Sequence, residues 1–261
     1  MSAADFLELP RRPPKPRRVG ITHVLDAGTG VAALADLLRS AGRSADIWKA
    51  GWGTAYLDPT LREKLALLHG AQVATCLGGT LLEIAWAQGA DHRCLDWAAE
   101  AGFSHVEVSR GTVAMPLAAK RALIRHAATR FTVLAEVGTK DPAEAAVPSA
   151  WRDEALGDLD AGADLVVAEG RQSGTVGIYD AAGAVRPEVV EALVAAVGAG
   201  DVVFEAPRAA QQAWFVRRFG PEVNLGNIAP GELLGVETLR LGLRSDTAHA
   251  TARPTLAGRD S

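Results

Sequence analysis

The sequence FTVLAEVGTK, residues 131–140, decides the fold class of this chain. Its first residues are mostly apolar and β-forming, as in a parallel strand that is covered on both faces. The run then reaches Glu136, a carboxylate that is costly to bury unless it is paired or used chemically. A glycine and Lys140 follow. This order predicts a buried strand that delivers polar side chains at its C-terminal end.

The same pattern, an apolar run that ends in a polar cluster, recurs about every 30 residues with a helical pattern between the runs. Such alternation predicts βα units, and 261 residues is a usual length for one (β/α)8 barrel. We expect the barrel over residues 19–247, an N-terminal arm over residues 1–18 and a disordered tail over residues 248–261. The eight run ends are Asp26, Lys49, residues 78–79, 107–109, 136–140 and 169–171, Glu205 and residues 224–227.

Composition and charge exclude several classes of protein. A net charge of -4 argues against a general nucleic-acid binder, although residues 11–18 hold a local basic cluster. That cluster is either a solvated leader or a segment that folds over an anionic site. The chain lacks the run of ~20 apolar residues that a membrane span needs, and its N-terminus lacks the apolar region of a secretory signal.

The two cysteines, Cys76 and Cys94, indicate reduced thiols rather than a disulfide framework, and we expect a cytoplasmic protein. A zinc site that uses His92 and Cys94 is disfavoured because neither CxxC nor HExxH spacing is present.

The segment Gly78-Gly79-Thr80 follows the third predicted strand and has two interpretations. Thr80 and Glu83 have the spacing of a capping box, in which side chains bind the free amides at the start of a helix. The same amides could instead form an anion cradle. The residues alone do not choose between them.

Barrel active sites lie at the C-terminal ends of the strands and combine residues from several strands. Four glutamates, two lysines and an arginine occupy the predicted strand ends. Any one of them could form a structural ion pair, but buried ion pairs add little net stability, so a wholly structural role for the set is disfavoured. Lysine and arginine bind anionic oxygen, carboxylates hold divalent metals, and a desolvated lysine can transfer protons. The sequence therefore predicts an anionic substrate and Mg2+, without choosing the reaction.

A series of motifs runs through the chain in a specific order: LDAG at 25–28, WKAGWGT at 48–54, GGTLLE at 78–83, VEVS at 106–109, AEVGTK at 135–140, AEGRQSG at 168–174, FEAP at 204–207, NLGNI at 224–228 and ETLRLGLRSDT at 237–247. With these motifs the chain resembles the phosphosulfolactate synthase family over about residues 6–247. The resemblance implies a (β/α)8 barrel that adds sulfite to C3 of phosphoenolpyruvate with Mg2+ and an aci-carboxylate intermediate, a step of coenzyme M biosynthesis. The partners it implies are these two small anions, and a homo-oligomer remains one alternative.

The resemblance and the chemistry of the strand-end residues together give expected roles to individual residues. Lys140 matches the family lysine that protonates C2, while Lys49 and Arg171 are candidate catalytic cations for the phosphate and the sulfonate. Glu136 and Glu169 are the expected metal ligands. The expected substrate-binding residues are Gly78, Gly79, Thr80, Ser109, Arg110, Ser173, Gly226 and Asn227.

Three positions depart from the family pattern and keep alternatives open. Arg110 replaces an acidic residue or Asn, Gln172 replaces a usual Glu, and Thr139 replaces a lysine that some members have. The first two changes make the expected site more positive. A barrel enzyme that adds another nucleophile to phosphoenolpyruvate, a different barrel lyase, and a non-catalytic stress-associated homologue are the alternatives.

Overall fold

A computed structural model of the chain describes residues 6–138 and 146–248. Eight parallel strands form a closed barrel in which each strand pairs with its neighbour in chain order and β8 pairs with β1. This confirms the predicted (β/α)8 barrel. The strands are β1 (Thr22–Asp26), β2 (Ile47–Ala50), β3 (Ala74–Leu77), β4 (His105–Val108), β5 (Thr132–Val137), β6 (Leu165–Ala168), β7 (Val202–Glu205) and β8 (Asn224–Ile228).

Helices follow the strands and cover the barrel from outside, since their apolar residues share core clusters with outward-facing strand residues. The helices are α1 (Val31–Ala41), α2 (Thr54–Leu57), α3 (Leu61–Gly70), α4 (Gly79–Ala87), α5 (Asp91–Ala101), α6 (Leu117–Ala127), α7 (Pro148–Asp160), α8 (Pro187–Val197), α9 (Ala209–Phe219) and α10 (Leu233–Arg240). Across the described residues, none of them is long and apolar enough to cross a membrane.

The inside of the barrel is apolar in its middle and charged at the C-terminal end of the strands. A compact apolar cluster includes Ile47, Leu134 and Val203. Side chains of a strand alternate between its two faces, so the residue two positions later also points inward. Lys49, Glu136 and Glu205 each follow one of these apolar residues by two positions. The strand period therefore places these charges inside the barrel mouth.

From sequence, the eighth strand is expected over residues 223–225. In the structure β8 extends further, because it continues through Gly226 and Asn227 to Ile228. Gly226 packs against the barrel interior, where a Cβ atom would lie 3.0 Å from Val203 and 3.2 Å from His23. Glycine thus lets the strand continue at a point where a side chain would have to displace its neighbours.

The described part of the N-terminal arm, residues 6–18, contains no helix or strand and binds at the N-terminal end of the barrel. Arg17 binds Asp46, directly before β2, at 2.8 Å, and Arg12 binds Glu237 of α10 at 3.1 Å. Lys15 donates to the carbonyl oxygen of Gly42 at 2.8 Å. These basic side chains therefore lie at the end opposite to the charged mouth.

Arg240 links β1 and β8 at the N-terminal end of the barrel. Its buried guanidinium donates to the carbonyl oxygens of Pro221 and Val223 at 2.6 Å and of Ile21 at 3.0 Å. These carbonyls belong to the segments that lead into the two strands, which pair with an irregular register. One planar guanidinium thus joins the two segments directly before the irregular pairing of the first and last strands.

Replacing Arg240 by Met should lower the free energy of unfolding by about 2–4 kcal/mol, because three buried carbonyls lose a charged donor. Urea unfolding followed by circular dichroism measures the change. Arg240→Lys should recover only part of the loss, since an ammonium lacks the planar fork.

Arg218→Met is the matched control. Arg218 pairs with Glu191 on the surface, where both side chains are about half exposed, and its loss should change stability by at most about 0.5 kcal/mol. An equal effect of the two Met variants would contradict a special role for Arg240.

Candidate active site

A cavity of about 440 Å³ opens at the C-terminal ends of the strands, and we refer to it as the main cavity. Parallel strands bring their ends to one mouth, so residues far apart in the chain meet there. Of the predicted site residues, it brings together Lys49, Gly78, Gly79, Thr80, Glu136, Glu169, Arg171, Ser173 and Asn227. Predicted Lys140 lies outside the described residues.

Four buried side chains, Lys49, Glu107, Glu136 and Glu205, form the charged floor of the main cavity. The Lys49 ammonium donates to Glu107 Oε2 at 2.7 Å and to Glu205 Oε1 at 3.4 Å. One carboxylate oxygen from each of the three glutamates lies within 4.8 Å of the others. Strands β2, β4, β5 and β7 each contribute one of these side chains.

The electrostatics of the floor fix the protonation of Lys49. Burial alone would lower the pKa of Lys49, but the carboxylates, above all Glu107 and Glu205, outweigh burial and raise this pKa above its ordinary value. Lys49 therefore stays a cation at neutral pH and is poorly suited to donate its proton. It acts instead as a fixed positive charge.

The carboxylates of the floor repel one another. Burial raises the pKa of Glu107, and repulsion from Glu136 and Glu205 adds to this although Lys49 opposes it. Three carboxylates converge here beside the Lys49 ammonium. Such convergence favours the binding of a further cation.

Glu205 also organises the turn after β6. Its Oε2 atom accepts the backbone amides of Gly170 at 2.9 Å and of Arg171 at 3.0 Å. Glu169 Oε1 accepts the same Arg171 amide at 2.6 Å. These bonds hold Arg171 in a left-handed conformation with φ of 54° at the cavity wall. No described residue pairs with its guanidinium, which is thus available to an anion.

In the turn after β3, the backbone amides of Gly78 and Gly79 already donate to acceptors within the protein. The Gly78 amide donates to the carbonyl oxygen of Ala50, and the Gly79 amide donates to Glu107 Oε1, both at 3.1 Å. Helix α4 begins at Gly79, so only the amides of its first turn beyond Gly79, including that of Thr80, have no acceptor of their own in the helix. An anion cradle here cannot use the Gly78 and Gly79 amides.

The capping-box interpretation of Thr80 and Glu83 is wrong. The helix starts one residue before Thr80, its N-cap is Gly78, and no side chain within the described chain caps it. Glu83 instead accepts the Ser109 hydroxyl at 2.5 Å and the Thr112 amide at 2.6 Å. Its carboxylate therefore shapes the loop after β4, a use that spacing along one helix does not reveal.

Comparison with known proteins identifies the family. Residues 10–246 match the sequence model of the (2R)-phospho-3-sulfolactate synthase (ComA) family. The chain belongs to this family. It is 40% identical to a phosphosulfolactate synthase of Methanothermobacter thermautotrophicus over 253 residues, which cover 95% of this chain and 98% of the relative. A phosphosulfolactate synthase of Bacillus subtilis is 37% identical over 247 residues, with 93% and 98% covered.

Solved structures at lower identity share the barrel. Thiamine phosphate pyrophosphorylase from Pyrococcus furiosus has a TM-score of 0.54 at 14% identity and covers 90% of this chain and 98% of its own. The 3-hexulose-6-phosphate synthase from Salmonella typhimurium has a TM-score of 0.57 at 12% identity, with 86% and 100% covered. At these identities the likeness shows the fold alone.

Three residues that the family resemblance assigned to the substrate do not line the main cavity within the described structure: Ser109, Arg110 and Gly226. Ser109 is bound to Glu83, and Gly226 packs inside the barrel. Arg110 makes a bidentate ion pair with Glu154 of α7, at 2.9 and 2.8 Å. Its positive charge is therefore compensated outside the barrel mouth.

Other residues line the main cavity although no specific role in the site is expected for them from sequence. Glu107 and Glu205 are recognisable as strand ends, but only the strand period shows that they point inward. Trp52 lies between two glycines, has φ of 51° and is 52% exposed at the rim. Thr112 lines the cavity from the loop that Glu83 holds. Residue chemistry alone does not predict that Trp52 and Thr112 line the cavity.

Replacing Lys49 by Met should destabilise the protein at pH 8 by about 3–5 kcal/mol in metal-free buffer, because three buried carboxylates lose their cation. The loss should be smaller at pH 5. The folded-state pKa of Glu107 is already raised, so the folded protein takes up a proton before the unfolded chain does as the pH falls. Urea unfolding at both pH values measures the difference.

Lys64→Met is the control for this comparison. Lys64 binds Asp26 at 3.1 Å and Asp58 at 2.9 Å. The pKa values of both aspartates are lowered despite burial, mainly by hydrogen bonds that include the Thr29 and Thr60 donors. Neither aspartate should take up a proton between pH 8 and pH 5, so the cost should be the same at both. A pH-independent cost for Lys49→Met would refute the interpretation that Lys49 offsets repulsion among the floor carboxylates.

Proposed function

We propose that this chain is a phosphosulfolactate synthase that adds sulfite to C3 of phosphoenolpyruvate. The observation that carries the proposal is the similarity of this chain to two phosphosulfolactate synthases along nearly the whole length of each. In the reaction, the sulfur lone pair forms the C3–S bond, the C2=C3 electron pair moves towards the carboxylate, and a proton is then added at C2. The resemblance places such a step in sulfonate biosynthesis of the coenzyme M type.

We further propose Mg2+ as the cofactor, held by Glu107, Glu136 and Glu205. The fit rests on donor chemistry, since Mg2+ takes carboxylate oxygens and these three converge within 4.8 Å. The closeness of these carboxylates also favours a cation, because it reduces their mutual repulsion. Glu169 lines the same cavity but is not one of these three convergent carboxylates. When bound, Mg2+ would supply positive charge near the substrate carboxylate as negative charge develops there.

The residues around the floor have distinct proposed tasks. Arg171 binds the phosphate of phosphoenolpyruvate, because its guanidinium lines the main cavity and has no carboxylate partner among the described residues. The first turn of α4 at Thr80 presents amides to the same cavity. Lys49 keeps Glu107 and Glu205 in place and stays charged. The charged floor thus orients the substrate while Arg171 binds it.

Proton delivery to C2 is proposed for Lys140, on the resemblance alone. The raised pKa of Lys49 makes that residue a weaker candidate for the acid. A lysine can release a proton at neutral pH when its surroundings lower its pKa, whereas arginine stays charged. This difference gives a direct test of the role of Lys140.

The purified protein should convert phosphoenolpyruvate and sulfite to phosphosulfolactate in the presence of Mg2+, which phosphorus NMR of the product measures. Glu107→Gln should lower kcat/KM by at least about 100-fold, as expected when a ligand of a charge-stabilising cation is lost. It should also abolish the Mg2+-dependent rise in melting temperature, a readout that does not need turnover.

Glu169→Gln is the matched variant in the same cavity and should keep the Mg2+-dependent rise. Loss of that rise in Glu169→Gln and its retention in Glu107→Gln would reverse the ligand assignment. Absence of product from the wild-type protein, with phosphoenolpyruvate still stabilising the fold, would favour the addition of another nucleophile.

Lys140→Ala should lower kcat by ~10²–10⁴-fold with little change in KM, the usual effect of losing a positioned general acid. Lys140→Arg should not restore kcat, because arginine keeps the charge but does not give up its proton. Steady-state kcat and KM of both variants measure this. An arginine variant with near wild-type kcat would instead assign Lys140 to anion binding.

A further inference from the structure

Lys120 carries a buried charge on the outer side of the barrel. Its side chain comes from α6, is fully buried and is not among the described residues that line the main cavity. The ammonium donates to the backbone carbonyl oxygen of Glu136 at 2.6 Å, to Glu154 Oε1 at 2.7 Å and to Asp158 Oδ2 at 2.6 Å. Three acceptors thus match the three protons of one ammonium. One of these acceptors belongs to a residue of the charged floor.

The position of Glu136 in β5 explains why its carbonyl oxygen needs this donor. The last pair between β4 and β5 is Val108 with Ala135, whereas β6 stays paired with β5 up to Val137. The Val137 carbonyl is bonded on the β6 side, and successive carbonyls of a strand point to opposite sides, so the Glu136 carbonyl faces the β4 side. The Lys120 ammonium therefore supplies a donor where β4 no longer accompanies β5.

Helix α7 contacts the same strand end through an aromatic ring. Gly138 directly follows β5 and has φ of 118°. A Cβ atom at Gly138 would overlap the indole ring of Trp151, which is a buried residue of α7. Helix α7 also carries both carboxylates that bind Lys120. The end of β5 is therefore held to α7 by a ring contact and by the ammonium.

Two partly exposed arginines bind these carboxylates from the outer side. Arg110 makes its bidentate pair with Glu154, and Arg121 lies 3.5 Å from Asp158. Burial would raise the pKa of Glu154, but hydrogen bonds from Arg110 and the charge of Lys120 outweigh burial and lower this pKa. Burial raises the pKa of Asp158, although Lys120 opposes the rise. Asp158 is thus the carboxylate whose charge can be removed at the lower cost.

We propose that Lys120 is a positioning residue that sets the Mg2+ affinity of the charged floor by fixing the end of β5 at Glu136. The inference rests on the proposed function, in which the three glutamates of the floor hold the cation. Mg2+ demands a strict arrangement of its ligands, so a shift of one strand end would weaken its binding. Lys120 contacts the backbone of a proposed ligand and not the substrate, and it therefore acts through Glu136.

The double variant Lys120→Met/Asp158→Asn tests this role. Lys120→Met alone would leave the buried Asp158 charge without its ammonium, which is strongly destabilising. In the double variant, asparagine keeps the shape of Asp158 without its charge, and Glu154 retains Arg110. Isothermal titration with MgCl2 should give a Kd about 10–100-fold above that of the wild type, the usual effect of losing a group that orients a metal ligand. Excess MgCl2 should restore most of kcat, because the three glutamates are still present.

Asp158→Asn alone is the matched control, since it differs from the double variant only at Lys120. It keeps the donor of the Glu136 carbonyl, so its Kd for Mg2+ should stay within about 3-fold of the wild-type value. Thermal unfolding in metal-free buffer records the stability of both variants separately from Mg2+ binding. An equal Kd in the double variant and the control, whatever their stabilities, would overturn the inference and leave Lys120 as a structural ion pair.

The titration needs no turnover and therefore separates this inference from the proposed reaction. If the wild type binds Mg2+ but forms no phosphosulfolactate, and the double variant still has the raised Kd, the reaction is wrong and the positioning role stands. If the wild type is active and the double variant binds Mg2+ as tightly as the control, the positioning role is wrong and the reaction stands. A wild-type protein that binds no Mg2+ would overturn both the proposed cofactor and the role of Lys120.

Discussion

The buried ammonium of Lys49 among three glutamates is the interaction on which the site depends. Carboxylates this close repel one another strongly in a medium of low dielectric constant, and the apolar middle of the barrel supplies such a medium. Lys49 reduces that repulsion and binds two of the three directly. The fold thus keeps three carboxylates together at the barrel mouth, where they favour a bound cation.

Backbone conformation independently supports the main cavity as the functional site. The described chain has four non-glycine residues with positive φ, and three of them, Trp52, Arg171 and Asn227, line the main cavity. Each conformation costs about 1–3 kcal/mol unless its surroundings determine it, and such residues concentrate at functional sites. For Arg171 the surroundings are visible, since two carboxylates bind its amide. The strained conformation of Arg171 is therefore held by Glu205 of the charged floor together with Glu169.

The sequence predicts the barrel well because two features mark each strand: an apolar run and the polar residues at the end of that run. It predicts the site unevenly, and the reason is geometric. Inside a strand, side chains alternate, so Lys49, Glu136 and Glu205 could be placed in the interior because each follows an apolar interior residue by two positions. Beyond the strand end that parity is lost. Arg110 follows β4 by two residues and turns outward to Glu154, and Glu83 binds a loop rather than its own helix. Contacts between separate βα units determine the directions of the Arg110 and Glu83 side chains. A single sequence does not show which units are in contact.

The proposed reaction depends on where the charges of the main cavity lie. Phosphoenolpyruvate carries a phosphate and a carboxylate, and negative charge grows on the carboxylate as the C3–S bond forms. Arg171 lines the cavity wall, whereas the three glutamates converge at the floor, where a bound cation would meet the carboxylate. Two separate positive centres would then bind the two ends of one substrate. This arrangement would fix the orientation of phosphoenolpyruvate in the barrel mouth.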